Sequence, residues 1–277
     1  MKATFSTASG PKPVDRHLAS RFEEAAFSFT TLCFAEFPSA VETINYTATI
    51  TLFETLRMAP IYKYVSEERF ALALIERGQV FMQTLANFRG YEDEDVRRDP
   101  DDGRLRFQPD GGLPINFEGK EPQVWKDWRA TFSVKSSDMF LYCLSTVRSE
   151  EIAERFESRF CVEFPNPMSL IGRIRDKVRL RSAMDRAIFF REVEYRAQQA
   201  PPGVRWALPE QVAFIKPEGW AWQNEFRVVV GKKGVFAVHN LDMQLQTGPD
   251  QLAPRADHEP LILTVGSLAR VANLIRF

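Results

Sequence analysis

Polar and apolar residues alternate with unusual regularity from Ile44 to Leu52. Ile44, Tyr46, Ala48, Ile50 and Leu52 interleave with Asn45, Thr47, Thr49 and Thr51. Period two in a β-branched run predicts a strand with one wet face. Upstream, Leu18, Phe22, Ala25, Ala26 and Phe29 form a helical stripe that Asp15 can cap. These two elements make an accessory segment, 1–58, ahead of a main body, 59–277. Pro60 opens that body. Ile61 to Val65 reads as a strand; Ser66 can cap a helix with Phe70, Leu74 and Ile75 inside, and Gly78 stops it. Val80 to Leu85 reads as a second strand. Phe140 to Ser145 reads as an apolar strand ending in Leu144-Ser145-Thr146. Ser149 can cap a helix through Phe156, and Cys161 to Phe164 is a further strand. Pro165-Asn166-Pro167 leads into a helix that buries Leu170, Ile171, Ile174 and Val178 and turns Arg173, Arg175, Lys177 and Arg181 outward. Ile188 to Tyr195, Gln211 to Ile215, Glu225 to Val230, Val235 to Val238 and Leu261 to Val265 complete the expected strands. Helices and strands mix without βαβ alternation, which predicts an α+β fold of mixed and antiparallel sheets with flanking helices.

Composition narrows the chemistry. The chain has 277 residues and a formal charge of -1, so no overall field favours nucleic acid or acidic lipid. No apolar run is long enough to span a bilayer, and none follows Met1 as a signal peptide would require, so no membrane partner and a cytoplasmic location are expected. The three cysteines, Cys33, Cys143 and Cys161, have neither zinc nor disulfide spacing. The three histidines, His17, His239 and His258, do not pair at ligand spacing, so no metal centre is expected. Neither a nucleophile elbow nor a Gly-rich phosphate loop is present.

Four constellations remain. The first is Gln223-Asn224-Glu225 at the entrance of the strand 225–230, where residues two apart would share a side. An amide and a carboxylate facing one space could aim a nucleophile at a cation-like sugar. Arg227 would lie on the same side, either pairing with Glu225 or binding phosphate. The second is Tyr62-Lys63-Tyr64, two aromatics that either anchor a sheet edge or stack on a flat heterocycle. The third is Phe88-Arg89 followed by Arg97-Arg98-Asp99. Its guanidinium groups either clamp phosphate or are neutralised by the acids at 92–102. The fourth is Cys143-Leu144-Ser145-Thr146, whose hydroxyls either end a strand in a turn or bond a ribose. The basic helix face, Arg173 to Arg181, is a solvated surface or an attraction for RNA or DNA.

In this order the motifs resemble the ADP-ribosyltransferase superfamily, in its bacterial toxin-like and phage-defence-associated branch. The resemblance covers roughly 60–238: Tyr62-Lys63-Tyr64 for the first motif, Leu144-Ser145-Thr146 for the second, Gln223-Asn224-Glu225 for the third. It departs from the family at two points. No Arg stands in the first motif, and Leu144 stands where Ser or Thr is typical. The resemblance implies an ADP-ribosyltransferase-like split sheet, NAD⁺ as co-substrate, and a macromolecular acceptor, nucleic acid or protein. An antitoxin or chaperone is a candidate further partner. It implies catalytic roles for Glu225 and Gln223, and NAD⁺ contacts from Tyr62, Tyr64, Arg89, Arg97 and Ser145. Two readings compete with it: a non-catalytic module on the same fold that binds a nucleotide or partner, and a metal-dependent nuclease built on the acidic loop 92–102.

Overall fold

The computed structural model describes residues 59–89, 101–115, 121, 123–201, 203–247 and 258–277. The accessory segment 1–58, and the charged run that holds Arg97, lie outside the described residues. The strands are β1 (Ile61–Val65), β2 (Gln79–Thr84), β3 (Arg104–Phe107), β4 (Leu113–Ile115), β5 (Gln123–Trp125), β6 (Trp128–Val134), β7 (Met139–Ser145), β8 (Phe160–Phe164), β9 (Phe189–Glu192), β10 (Glu194–Arg196), β11 (Ile215–Pro217), β12 (Glu225–Gly231), β13 (Leu241–Thr247), β14 (Leu261–Thr264) and β15 (Asn273–Arg276). The helices are α1 (Glu68–Arg77), α2 (Leu85–Arg89), α3 (Glu150–Arg155), α4 (Pro167–Arg179) and α5 (Pro209–Val212). The class is α+β with mostly antiparallel pairing, and β10–β11 is parallel.

The main sheet runs β14-β2-β7-β1-β8-β15, with β12 along the other edge of β7 and β9 outside β12. Central β7 is apolar almost throughout because both of its faces are covered. Phe140, Tyr142 and Leu144 join Phe226, Val228 and Val230 under α1 and α4. Met139 and Leu141 join Val229, Trp206 and Phe214 on the opposite side, against the three-stranded sheet β13-β6-β3.

One edge of β7 is shared by two strands. β2 pairs with its start, Gln83 to Leu141 and Thr84 to Phe140, and β1 pairs with its end, Tyr62 to Ser145. Between these contacts the sheet is split. The Lys63 ammonium donates to the Cys143 carbonyl across the gap at 2.8 Å, satisfying an oxygen that a neighbouring strand would otherwise take.

Local chemistry fixes the elements around the split. Gly78 ends α1 in the left-handed region at φ 64, and its N–H reaches the Ala73 carbonyl. A Cβ there would sit 2.1 Å from the Gly266 oxygen. The Ser149 hydroxyl caps α3 by accepting from the Ile152 N–H, and the Asn166 side chain caps α4 by accepting from the Met168 N–H. Helix α1 departs from expectation: Glu67 holds the cap position, with no side-chain cap bond, and Ser66 does not.

Three predicted strands take other forms. Gln211 to Ile215 divides into α5 and β11, because Pro209 at the first helical turn presets φ and Gln211 bonds back to Leu208. Val235 to Val238 is a tight turn and 3-10 segment. Gly234 at φ 79 reverses the chain there, and Val235 and Phe236 still reach the core. Ile188 to Tyr195 breaks at Val193, where the chain leaves β12 and pairs with β11. The outward face of α4 is not merely solvated, since Arg173 donates to the Ser267 carbonyl and Arg181 donates to the Ile262 carbonyl at 2.8 Å.

Candidate active site

Glu225 begins β12 directly opposite Ser145 of β7, and Tyr62 of β1 also stands opposite Ser145. Antiparallel partners project to the same face. Three strands therefore bring Tyr62, Ser145 and Glu225 together. Gln223 arrives differently from the sequence expectation. It closes a 3-10 segment (Glu218–Gln223), and Asn224 turns through the left-handed region at φ 43 before the strand starts. Gln223 and Glu225 are thus neighbours across a turn rather than along a strand. Asn tolerates that backbone region better than most residues. Ser145 pins the turn: its hydroxyl faces the Gln223 and Asn224 carbonyls at 3.1 and 3.3 Å and accepts from the Val147 N–H.

The carboxylate sits in a network of charges. The Arg227 guanidinium grips Glu225 through Nε at 2.8 Å and Nη2 at 3.1 Å, and grips Asp102 through Nη1 at 2.8 Å and Nη2 at 2.9 Å. Its Nη1 also donates to the Ala213 carbonyl. The Lys216 ammonium bridges the Gln223 amide oxygen at 2.8 Å and Glu225 Oε2 at 3.3 Å, and lies over the Trp220 ring. The Tyr195 hydroxyl accepts from the Glu225 backbone N–H at 2.9 Å. Burial works to raise the Glu225 pKa, but the Arg227 and Lys216 charges outweigh it and lower it to about 2. Burial, and then the Glu225 charge, push the Cys143 thiol well above its usual range. Tyr195 is raised, mainly by burial. Desolvation opposes the Arg227 charge, yet Asp102 and Glu225 hold its pKa higher still.

These groups line a cleft of about 600 Å³ that passes through the split. Lys63, Tyr142 and Leu144 contribute from one face of the sheet; Tyr62, Cys143 and Glu225 contribute from the other. Among the described residues its cations are Lys63, Lys216 and Arg227 and its anions Asp102 and Glu225, which leaves one formal positive charge in excess among them. Its outer rim is apolar: Phe70, Phe81 and Ile262 are 47%, 49% and 49% exposed.

The candidates read from sequence are thereby sorted. Glu225, Gln223, Tyr62, Tyr64 and Ser145 all line the cleft. Tyr64 is the more tightly held tyrosine. Its ring stacks on Phe277, and its hydroxyl accepts from the Ser149 N–H at 2.7 Å and donates to the Val147 carbonyl at 2.9 Å. Tyr62 has only a long 3.4 Å bond to Glu163. Burial raises both phenols. Arg227 pairs with carboxylates, so the phosphate-binding alternative for it does not hold. Arg89 ends α2, next to the cleft-lining Phe88; Arg97 lies outside the described residues. Of the acidic loop, Asp101 pairs with Arg106 and Asp102 with Arg227. Among the described residues no three His, Cys, Asp or Glu side chains gather as a metal site.

No family model, curated protein or solved structure matches this chain. The geometry alone therefore carries the functional reading. Sequence reasoning passed over Lys216 and Tyr195, gave Lys63 no role of its own, and placed Asp102 only within the acidic loop 92–102. A single Lys inside the apolar stretch Val212 to Ile215 and Pro217 was the available signal for Lys216, since a lysine surrounded by core residues needs an anion. Asp102 carried no such signal, because Pro100-Asp101-Asp102-Gly103 reads as an ordinary turn.

Proposed function

We propose that the chain is an NAD⁺-dependent mono-ADP-ribosyltransferase acting on a macromolecular acceptor, in the class of toxins and antiviral effectors. The observation that carries this reading is the cleft through the split sheet, where Tyr62, Ser145 and Glu225 from three adjoining strands meet Gln223 from the 3-10 segment before β12. Glu225 is ionised and fixed in place, as a carboxylate must be to offset positive charge growing on a ribose whose bond to nicotinamide is breaking. Preorganisation of that kind costs no rearrangement at the moment of reaction. Tyr62 offers a ring face beside it. The Lys63 ammonium in the cleft suits a diphosphate. The volume falls in the range of pockets that enclose small molecules.

The test uses NAD⁺ tagged on its adenine, incubated with the full chain and cell lysate. The wild-type protein should move the tag onto a macromolecule. Glu225→Ala should lower transfer by roughly a hundredfold or more with NAD⁺ binding retained. Undiminished transfer by that variant would remove Glu225 from its role. A second reading, a nucleotide-binding module without catalysis, draws on one observation: both Glu225 oxygens are already engaged by Arg227 and Lys216. NAD⁺ binding without nicotinamide release in any lysate would favour it.

A further inference from the structure

The cleft holds two ammonium groups and two carboxylates, and among the described residues it offers no group placed to take a proton. Both Asp102 oxygens accept from Arg227. Neither described histidine, His239 or His258, lines it. Both Glu225 oxygens accept from Arg227, and one also accepts from Lys216. The Ser145 hydroxyl is spent on the turn that carries Gln223. The Tyr64 hydroxyl is spent on the chain entering α3. The Gln223 amide oxygen, which could otherwise take a hydrogen bond from an incoming hydroxyl or amine, already accepts from Lys216 at 2.8 Å. A nucleophile that had to lose a proton would find no base among the described residues of the cleft.

On the reading given above as an ADP-ribosyltransferase, we propose that the acceptor is the terminal phosphate monoester of a nucleic acid strand, selected by Lys216. A phosphate monoester arrives as an anion with its attacking oxygen already ionised. That oxygen forms a bond to the ribose carbon as the bond from that carbon to the nicotinamide nitrogen breaks. The bonding pair leaves with the nitrogen, which becomes neutral, and no proton moves. Lys216, beside both Gln223 and Glu225, is the cation placed to hold the incoming oxygen, and Lys63 adds a second ammonium in the same cleft. The groups at Lys216 support this assignment: Glu225, which it contacts, has its pKa lowered, against the effect of burial, by Arg227 and Lys216, and Tyr195, its partner across β10 and β11, holds its proton tightly. Two features of the rim favour a nucleic acid over a phosphoprotein. Phe81 and Ile262, paired across β2 and β14, and Phe70 offer half-exposed apolar surface on which bases can stack. Immediately beyond, Arg181 sits on the Ile262 carbonyl, at the basic end of α4 with exposed Lys177 and Arg179.

The experiment offers one single-stranded oligonucleotide, as RNA and as DNA, with a 5′-phosphate, a 3′-phosphate or neither, to the full chain. Binding is measured without NAD⁺ by fluorescence anisotropy, and transfer is measured with tagged NAD⁺. A terminal phosphate should tighten binding, and only phosphorylated strands should accept the tag. Transfer should rise through the second phosphate ionisation, near pH 6, and then level off. Lys216→Gln should weaken both phosphate-dependent binding and transfer by roughly 10- to 100-fold, with NAD⁺ affinity little changed. Lys216→Arg should recover part of each, which guards against a folding defect in the first variant. Transfer to unphosphorylated strands, or to protein carboxyl groups with no step near pH 6, would overturn the acceptor while leaving the donor chemistry standing. Absence of NAD⁺ binding would overturn the transferase reading, and this inference with it.

Discussion

Replacing Arg227 by Met tests whether the charge network is what holds the candidate site together. The guanidinium is 1% exposed and directs its N–H groups at Glu225, Asp102 and the Ala213 carbonyl. Methionine fills much of the volume and leaves both carboxylates behind. Lys216 still reaches Glu225, at 3.3 Å, but Asp102 loses the guanidinium that held both its oxygens. Removing one partner of a buried ion pair costs about 3–5 kcal/mol, a large share of the roughly 5–15 kcal/mol that stabilises a domain. Urea unfolding followed by far-ultraviolet circular dichroism at pH 7 measures it. Acid provides the second arm. The Glu225 pKa is depressed in the folded chain, so its contribution is present above the unfolded value of 4.5 and is lost as pH falls toward about 2. That depression corresponds to about 3 kcal/mol in the wild type. Without Arg227 most of it is absent, so the gap between variant and wild type should narrow across this window. A loss below about 1 kcal/mol at pH 7, or a gap that stays constant down to pH 3, would refute a locked network. Should Arg227→Met fail to fold, Glu225→Gln carries the acid arm, with a flatter stability profile between pH 4.5 and 2.

Two further substitutions bear on the frame around the cleft. Ser145→Ala removes the hydroxyl that joins β7 to the Gln223 turn; it should cost about 1–2 kcal/mol in thermal or urea unfolding and slow transfer more than it weakens NAD⁺ binding. An equal loss of both would assign Ser145 to the donor itself. Gly78→Ala places a Cβ 2.1 Å from the Gly266 oxygen at a backbone φ of 64, so unfolding should show a loss of at least about 2 kcal/mol. A smaller loss would mean that the loop at Gly266 gives way easily.

The parts of this molecule that were legible in the sequence are those decided by local pattern. Strand Ile61–Val65 matches its expected bounds, and β7 and β12 differ from theirs by one residue. Long apolar runs admit few alternatives once both faces of a sheet are covered. The failures share a cause, which is tertiary override. Val235 to Val238 is an apolar run that reads as a strand, but Gly234 and the end of β12 turn it into a corner. β13 was missed although Leu241, Met243 and Leu245 alternate with Asp242, Gln244 and Gln246, the period of a strand with one wet face; its partner β6 lies over a hundred residues upstream, and β15, Asn-Leu-Ile-Arg, is too short to show a period. At the site, Glu225 and Gln223 were found through a short motif. Asp102 and Lys216 could not be found that way, because their importance comes from where the chain returns rather than from any local spacing.

The same network explains why an amide stands at position 223. Among the cleft-lining charges Asp102 balances one half of Arg227, and Glu225 takes the other half together with Lys216. A carboxylate at 223 would sit 2.8 Å from the Lys216 ammonium, where the amide oxygen now lies, and would compete with Glu225 for that single cation. Two like charges in a cleft of low polarity cannot both stay ionised without cost, and one would be driven to hold a proton. A second carboxyl with a raised pKa beside Glu225 would, in its ionised form, furnish a base that the described cleft residues do not supply, and with it access to hydroxyl and amine acceptors. The neutral amide at 223 adds no second negative charge against the Lys216 ammonium. On the transferase reading, the choice between amide and carboxylate at this one position would decide which nucleophiles the cleft can use, and the amide would leave the ammonium to select an anion.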